Sequence, residues 1–434
     1  MLVGELMESA KIMNSNMYDL YLDILKGELI PAFGCTEPIA IALAGAKARE
    51  VMGEDVLRID IAVSNNILKN VKSVVVPNTN GKRGIESAVA IGVVAGKAEK
   101  NLEVLGDVTE TQIEALENFM KKVPITIKTA ENTNIFDIVV YLYGKEHRAK
   151  IRITDYHTNI VYLSKDDTIL IDKQQSGEES EEIEIAITAV KDILECVNNI
   201  DIEKLIPYVG RQIEFNTKIA EHGMKYNYGA NVGKNIARMY GDDIKVRARA
   251  KAAAGSDARM SGCEMPVVVV SGSGNQGITS CVPVVEYAKF IECDQETMIR
   301  AVALSDLLTI YVKQGVGRLS AYCGVVCAGC SAGAAIAYLD GGDYMVIVNT
   351  LINSLAIVSG IICDGAKPSC AGKIASAVDA GIMGWQMAKN GDKFLGGDGI
   401  VAEDVDNTIL NVGVLASQGM RQTDDVIVDI MLNQ

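Results

Sequence analysis

The cysteines carry the first chemical signal. In IICDGAKPSC, residues 361–370, Cys363 and Cys370 bracket a short turn that follows an almost unbroken apolar run. Glycine and proline inside that turn cannot continue the preceding helix, so both thiols stand at a helix end, off the regular core pattern. Two thiolates sharing one loop, with a third from a neighbouring helix, make a cradle for an iron–sulfur cluster. On spacing alone, two buried thiols without a ligand explain the pattern equally well.

The chain holds ten cysteines, and a free cysteine is normally a small buried hydrophobe. Cys196 and Cys293 lie in ordinary amphipathic contexts and are assigned to core. AYCGVVCAGCSAGAA contains C-x3-C-x2-C, the spacing of the cluster motif in radical S-adenosylmethionine enzymes. That motif sits near the start of a barrel, whereas only about a hundred residues follow here. The surrounding pattern is helical, so Cys323, Cys327 and Cys330 fall along one face at i, i+4 and i+7. They are expected to face a small-residue helix contact, with at most one or two turned towards a cofactor.

The rest of the chain must position these groups. With 434 residues, 49% of them hydrophobic and 22% charged, a sizeable core can be buried. The net charge is −15 with no basic block, which argues against nucleic acid and against an anionic membrane surface as partners. The N-terminus lacks a basic region followed by an apolar core, so a cytoplasmic location is expected. In that reducing compartment, metal binding, catalysis or burial outranks disulfide formation. The run from Tyr344 to Cys363 approaches bilayer length but contains Asn349, Thr350, Asn353 and Ser354; it reads as a buried helix, with no membrane partner.

Residues 17–52 are helical in pattern, broken at the loop Phe33–Pro38. LRIDIAVS alternates as a strand, and KSVVVPNTNG reads as a strand entering a turn. Two helical patterns follow, ESAVAIGVVAGKAEK and TETQIEALENFMKKV. PITIKTAE, FDIVVYLYG, EHRAKIRIT, NIVYLS and TILIDK are then expected as successive strands. The acidic stretch 174–184 marks a linker, and the remainder is mostly helical. The expected fold class is α+β: a mostly helical catalytic domain from residues 1–55 and 185–434, with a smaller α+β domain, 56–184, inserted between them.

Six blocks in order, GCTEP (34–38), PNTNGKRGIESAVAIG (77–92), SDARMSG (256–262), SGSGNQGI (271–278), YCGVVCAGCSAGAA (322–335) and ICDGAKPSCAGK (362–373), resemble the iron–sulfur-dependent L-serine dehydratase alpha-chain family. They are most similar to its single-chain, L-cysteine desulfidase-like branch. The resemblance implies a lyase with a [4Fe-4S] cluster held by Cys323, Cys363 and Cys370, one iron left open, and a functional Cys35. The implied reaction is non-redox β-elimination of L-cysteine to pyruvate, ammonia and hydrogen sulfide; the alternative is L-serine dehydration on the same cluster. The loop around the third ligand is shorter than in serine dehydratases and is followed by AGK.

An open iron acts as a Lewis acid, and a thiophilic metal suits departing sulfide. A base must take the Cα proton. Cys35 is the preferred candidate, as base or as transient sulfur partner, on the expectation that a nearby cluster or helix start lowers its pKa; the alternative is that it caps the open iron at rest. Glu37 competes for the role, though at a helix start it also stabilises the dipole. Among the histidines, His147 and His157 are expected at the surface, while His222 is a candidate to line a cleft. SGSGNQG suits the substrate carboxylate, because glycines let backbone N–H groups converge and Ser271, Ser273, Asn275 and Gln276 add donors. Asn78 and Thr79, with Asn80, either complete the pocket or form a turn. Asp257 and Arg259 either orient that wall or make a structural ion pair.

SGSGNQG also resembles the asparagine loop of pyridoxal-phosphate β-eliminases, but these need an upstream Schiff-base lysine, and Lys251 before AAAG does not fit that setting. A cluster-bearing sensor is the non-enzymatic alternative, for which no basic face, zipper or helix-turn-helix supplies a contact surface. The expected partner is a small amino acid; small-residue helices also suit a possible homodimer.

Overall fold

The computed structural model describes residues 17–130, 134–173, 187–317 and 319–433. The extreme N-terminus and the acidic stretch 174–184 lie outside the described residues. The fold is α+β and mostly helical, as expected.

The first unit is built on a six-stranded mixed sheet. Its strands are β2 (Arg58–Val63), β3 (Ile125–Thr129), β4 (Asp137–Tyr143), β5 (Arg148–Thr154), β6 (Ile160–Lys165) and β7 (Thr168–Asp172). They lie in the order β3-β2-β4-β5-β6-β7, with β2 and β3 parallel and every other pair antiparallel. Period-two alternation places Ile59, Ile61, Val140 and Ile151 in one apolar core. That face is covered by α1 (Thr36–Met52) and, beyond it, α3 (Gly84–Ala95), on which α4 (Glu110–Lys122) packs. The two helices touch backbone to backbone: a Cβ on Gly92 would lie 2.1 Å from the carbonyl oxygen of Ala42.

α1 therefore packs with the sheet, which corrects the expected domain boundary at residue 55. Of the described residues before α1, the helical segment 17–28 packs with the C-terminal half, where Tyr21, Ile24 and Leu25 enter the second core. The small-residue face of IAIALAGAKA suits either partner, and proximity to β2 decides. A second correction concerns KSVVVPNTNG. It forms no extended strand, only an isolated bridge between Val75 and Arg83, and it follows a short helix, α2 (Asn65–Val71).

The second unit contains α5 (Val190–Asn199), α6 (Arg211–Lys225), α7 (Val232–Tyr240), α8 (Ile244–Met260), α9 (Gly274–Phe290), α10 (Gln295–Val316), α11 (Gly324–Leu339), α12 (Tyr344–Val358), α13 (Cys370–Lys389), α14 (Val405–Val414) and α15 (Arg421–Leu432). Here α11 is central and packs against α9, α10, α12 and α13. A Cβ on Gly333 would stand 2.4 Å from the oxygen of Gly381, so α11 and α13 approach through bare backbone. The run beginning at Tyr344 is a helix with Thr350, Asn353 and Ser354 fully buried. Among the described residues no helix is long and apolar enough to cross a membrane.

The units are joined by a two-stranded antiparallel ribbon. β1 (Pro31–Phe33) pairs with β8 (Pro266–Val268), Pro31 opposite Val268 and Phe33 opposite Pro266. This ribbon sets the start of α1 beside the start of α9.

Candidate functional site

Four helix starts converge on one cavity. Its walls include Cys35 before α1, Ser273 before α9, Cys323 before α11 and Cys370 opening α13. None of these four helices has a side-chain cap on its first-turn N–H groups, whereas Ser64, Thr109, Asp243, Asp294, Asp343 and Asp404 cap other helices. Open N–H groups and the positive ends of four dipoles make the cavity attractive to anions. Its volume is about 90 Å³, room for several water molecules or a small metabolite.

The thiol wall forms where chain segments 321–323 and 361–363 run antiparallel. Tyr322 bridges Ile362, Cys323 N–H donates to Ile361 O at 3.0 Å, and Cys363 N–H donates to the carbonyl of Ala321 at 2.6 Å. This pairing brings the Cys323 and Cys363 side chains into a mutual hydrogen bond. The Cys363 thiol is held below its ordinary value, first by the hydrogen bond from Cys323 and then by Lys69, the Gly365 N–H and Lys373, against its burial. Cys323 is pushed up by the same bond and by burial. Cys370 Sγ accepts the Lys367 N–H at 3.4 Å and faces Gly365 O at 3.6 Å, and burial raises its thiol. Gly365, at φ +94°, lets the loop press on α2: a Cβ there would meet Lys69 O at 2.5 Å.

Cys327 and Cys330 point elsewhere. Both are fully buried in α11, and burial pushes Cys327 up to about 11. Of the three cysteines at i, i+4 and i+7, only Cys323 lines the cavity.

Opposite the thiols lies the start of α1. Cys35 Sγ–H donates to Glu37 Oε2 at 3.1 Å, and Asn70 Nδ2 donates to Glu37 Oε1 at 3.1 Å. The expected lowering of Cys35 is overturned: burial and the adjacent Glu37 push its thiol well up, against a smaller pull from Arg259. Thr36 Oγ1 donates to Gly272 O at 2.9 Å, tying α1 to the SGSGNQG loop. In that loop Ser271 (φ 47°) and Gly272 (φ 74°) are successively left-handed between the bridged Val270 and Ser273. Ser271, Ser273, Asn275 and Gln276 all line the cavity.

The structure does not bring every expected residue here. Asn78 and Thr79 form the turn instead: Asn78 Nδ2 donates to Leu105 O at 2.6 Å, and Thr79 Oγ1 to Val76 O at 2.7 Å. That turn supports the site from beneath, since Gly34 packs directly on Pro77. His222 lies on α6, with Nε2 2.9 Å from the Tyr228 hydroxyl, and is not among the cavity walls. Asp257 accepts the Gly233 N–H at 3.0 Å, whereas Arg259 donates to Gly34 O at 2.8 Å and lines the cavity, so the two do not act as one pair. Lys251 bonds Glu286 at 2.8 Å, away from the cavity.

Several wall residues escaped the sequence reading. His157, expected at the surface, is buried in the β5–β6 turn and packs edge-on against Phe136, with centroids 4.9 Å apart. Its polar neighbours in TDYHTN resemble any solvated turn. Lys69 and Asn70 end α2, and Lys313 lies in the last turn of α10. Nothing in their local pattern separates them from surface polar residues.

Fold and cavity together define a two-unit α+β protein whose thiols, uncapped helix starts and buried cations suit a small anionic or zwitterionic ligand. The chain belongs to the serine dehydratase alpha chain family, whose model matches residues 99–429; Cys35 and Glu37 precede that match. A UPF0597 protein of Desulfitobacterium hafniense is 51% identical over 418 residues, covering 96% of this chain and 97% of that relative. UPF0597 proteins of Lachnoclostridium phytofermentans and Treponema denticola are 48% and 44% identical, over 96% and 97% of this chain and 100% and 99% of theirs.

Proposed function

We propose that this protein is a lyase that eliminates the β-substituent of a small L-amino acid. L-cysteine is the substrate, giving pyruvate, ammonia and hydrogen sulfide with uptake of one water. The family description favours L-serine as a second reading. The observation that carries the proposal is the convergence of Cys323, Cys363 and Cys370 on the cavity that also holds Cys35, Glu37 and SGSGNQG.

The residues fit a [4Fe-4S] cluster held by Cys323, Cys363 and Cys370. Among the described residues no three His, Cys, Asp or Glu side chains gather to hold one metal ion. A cluster asks for a wider set, because each cysteine binds a different iron. The hydrogen bond from Cys323 holds the Cys363 thiol below its ordinary value, and four helix dipoles with Lys69 and Lys373 favour negative charge. When bound, the cluster supplies a Lewis-acidic iron for departing sulfide or hydroxide.

The protein's own groups handle the proton and the substrate. Cys35 and Glu37 form the proton-handling pair: Glu37 takes the Cys35 proton along their hydrogen bond as the sulfur accepts the one from Cα. Ser271 and Ser273, with the start of α9, receive the substrate's polar groups. The thiol loop and Tyr322 form part of the cavity wall.

The test is anaerobic loading with iron and sulfide, followed by parallel measurement of pyruvate from L-cysteine and L-serine. Faster turnover of cysteine is expected, with one sulfide released per pyruvate. A fully loaded protein that makes no pyruvate from either amino acid overturns the proposal.

A further inference from the structure

Four residues that line the cavity each keep a buried polar atom without a partner among the described residues. Asn70, Asn275 and Gln276 are each 5% exposed, and each leaves its side-chain carbonyl oxygen without a partner among the described residues. Arg259, 4% exposed, leaves its Nε–H likewise unmet. A buried polar atom left unpaired is costly and normally marks where a ligand or water binds.

The chemistry of the set is asymmetric. Asn70 is held in one orientation, because its Nδ2 donates to Glu37 Oε1 at 3.1 Å and only the oxygen remains. Asn275 Nδ2 is turned to Met260 Sδ at 3.5 Å, which again leaves the oxygen. The Gln276 amide packs on Gly324, and its Oε1 is the buried atom left without a partner among the described residues. Three carbonyl acceptors match the three donors of one ammonium group, and the Glu37 carboxylate behind Asn70 adds negative charge. Arg259 Nε–H and the uncapped start of α9 are donors, and they match a carboxylate.

We infer that the cavity recognises both ends of an α-amino acid zwitterion: the amide oxygens of Asn70, Asn275 and Gln276 take the ammonium, and Arg259 with the start of α9 takes the carboxylate. This deepens the proposed lyase reading and rests on it for the choice of amino acid as ligand. It assigns Asn275 and Gln276 to the ammonium rather than to the carboxylate, and adds Asn70 and Arg259. A 2-hydroxy acid, with one donor in place of three, leaves acceptors unmet and is rejected.

The test uses ligands that cannot eliminate. Binding of L-alanine and L-lactate to the iron-loaded protein is measured by anaerobic calorimetry. L-alanine is expected to bind at least about tenfold more tightly, the effect of one or two unmet buried acceptors. Asn70→Leu and Asn275→Leu should each shrink that ratio, while Arg259→Gln should weaken both ligands and leave the ratio unchanged. Equal affinity of the native protein for the two ligands overturns the inference, as does failure to bind either. So does an unchanged ratio in both asparagine variants. Because neither ligand reacts, a protein that prefers alanine but yields no pyruvate sinks the elimination reading and leaves this one standing.

Discussion

The buried Lys69 ammonium donates to the main-chain carbonyl of Cys363, 294 residues away, at 3.2 Å. Its side chain is 1% exposed and also pairs with Asp424 on α15, so one cation ties the sheet unit, the thiol loop and the C-terminal helix together. Lys69→Met should leave Asp424 and the Cys363 carbonyl without their cation, at a cost of about 3 kcal/mol. Denaturant unfolding of the metal-free protein measures that loss. Faster iron release to a chelator from the loaded variant measures the loosened loop.

The cysteines should separate by function. Cys363→Ala is expected to bind no iron and produce no pyruvate, whereas Cys35→Ala should keep most of its iron and lose turnover. Cys327→Ala should keep both and lose about 1 kcal/mol of stability, the cost of a small core cavity. Iron content and pyruvate formation, measured on the same preparations, check all three. Full activity in Cys35→Ala would remove that residue from the proton-handling pair.

The histidines make a second contrast. His157 lines the cavity and His222 does not. His157→Gln should lower kcat by at least about tenfold with iron retained, in the range of a group that assists proton transfer. His222→Gln should stay within about twofold. Equal effects from the two substitutions would mean that the imidazole contributes only to packing.

Asp306, fully buried on α10, accepts from Gln212 Nε2 at 2.9 Å and Ser280 Oγ at 2.7 Å. Burial pushes its carboxyl up to about 7, against those two hydrogen bonds. An unfolded Asp titrates near 4, at about 3.9. Between those values the folded state holds a proton that the unfolded state has lost, so this group's stabilising contribution is complete below about pH 4 and declines as pH rises through about 7. Asp306→Asn keeps the accepting oxygen and cannot ionise. Its urea midpoint should exceed that of the native protein at pH 8 and approach it steadily as pH falls, converging only near pH 4, over a series of unfolding curves.

Much of the fold was legible because periodicity is local. The five strands of alternating pattern from Ile125 to Asp172 and the helices at Gly84 and Glu110 follow from spacing that neighbouring residues already impose. The boundary near residue 55 was not legible. The face of α1 is small and apolar all round, so nothing local says which unit it should cover. The strand expected at KSVVV fails for a similar reason: Val74 and Val76 are buried by a loop that packs beneath Gly34 rather than by a sheet neighbour.

For the site, residue order by itself set Cys363 and Cys370 at a helix end and marked the SGSGNQG turn, because glycine and proline interrupt helices there, whereas Cys323 was singled out only through the family resemblance. Only the tertiary structure decided that four such starts meet, that Lys69, Asn70 and His157 face the same cavity, and that Asn78, Thr79 and His222 do not. Convergence of segments hundreds of residues apart depends on how two cores pack, and no local pattern carries that information. The state of Cys35 belongs to the same class. A helix start alone favours its thiolate, but burial beside Glu37, set by the fold, wins.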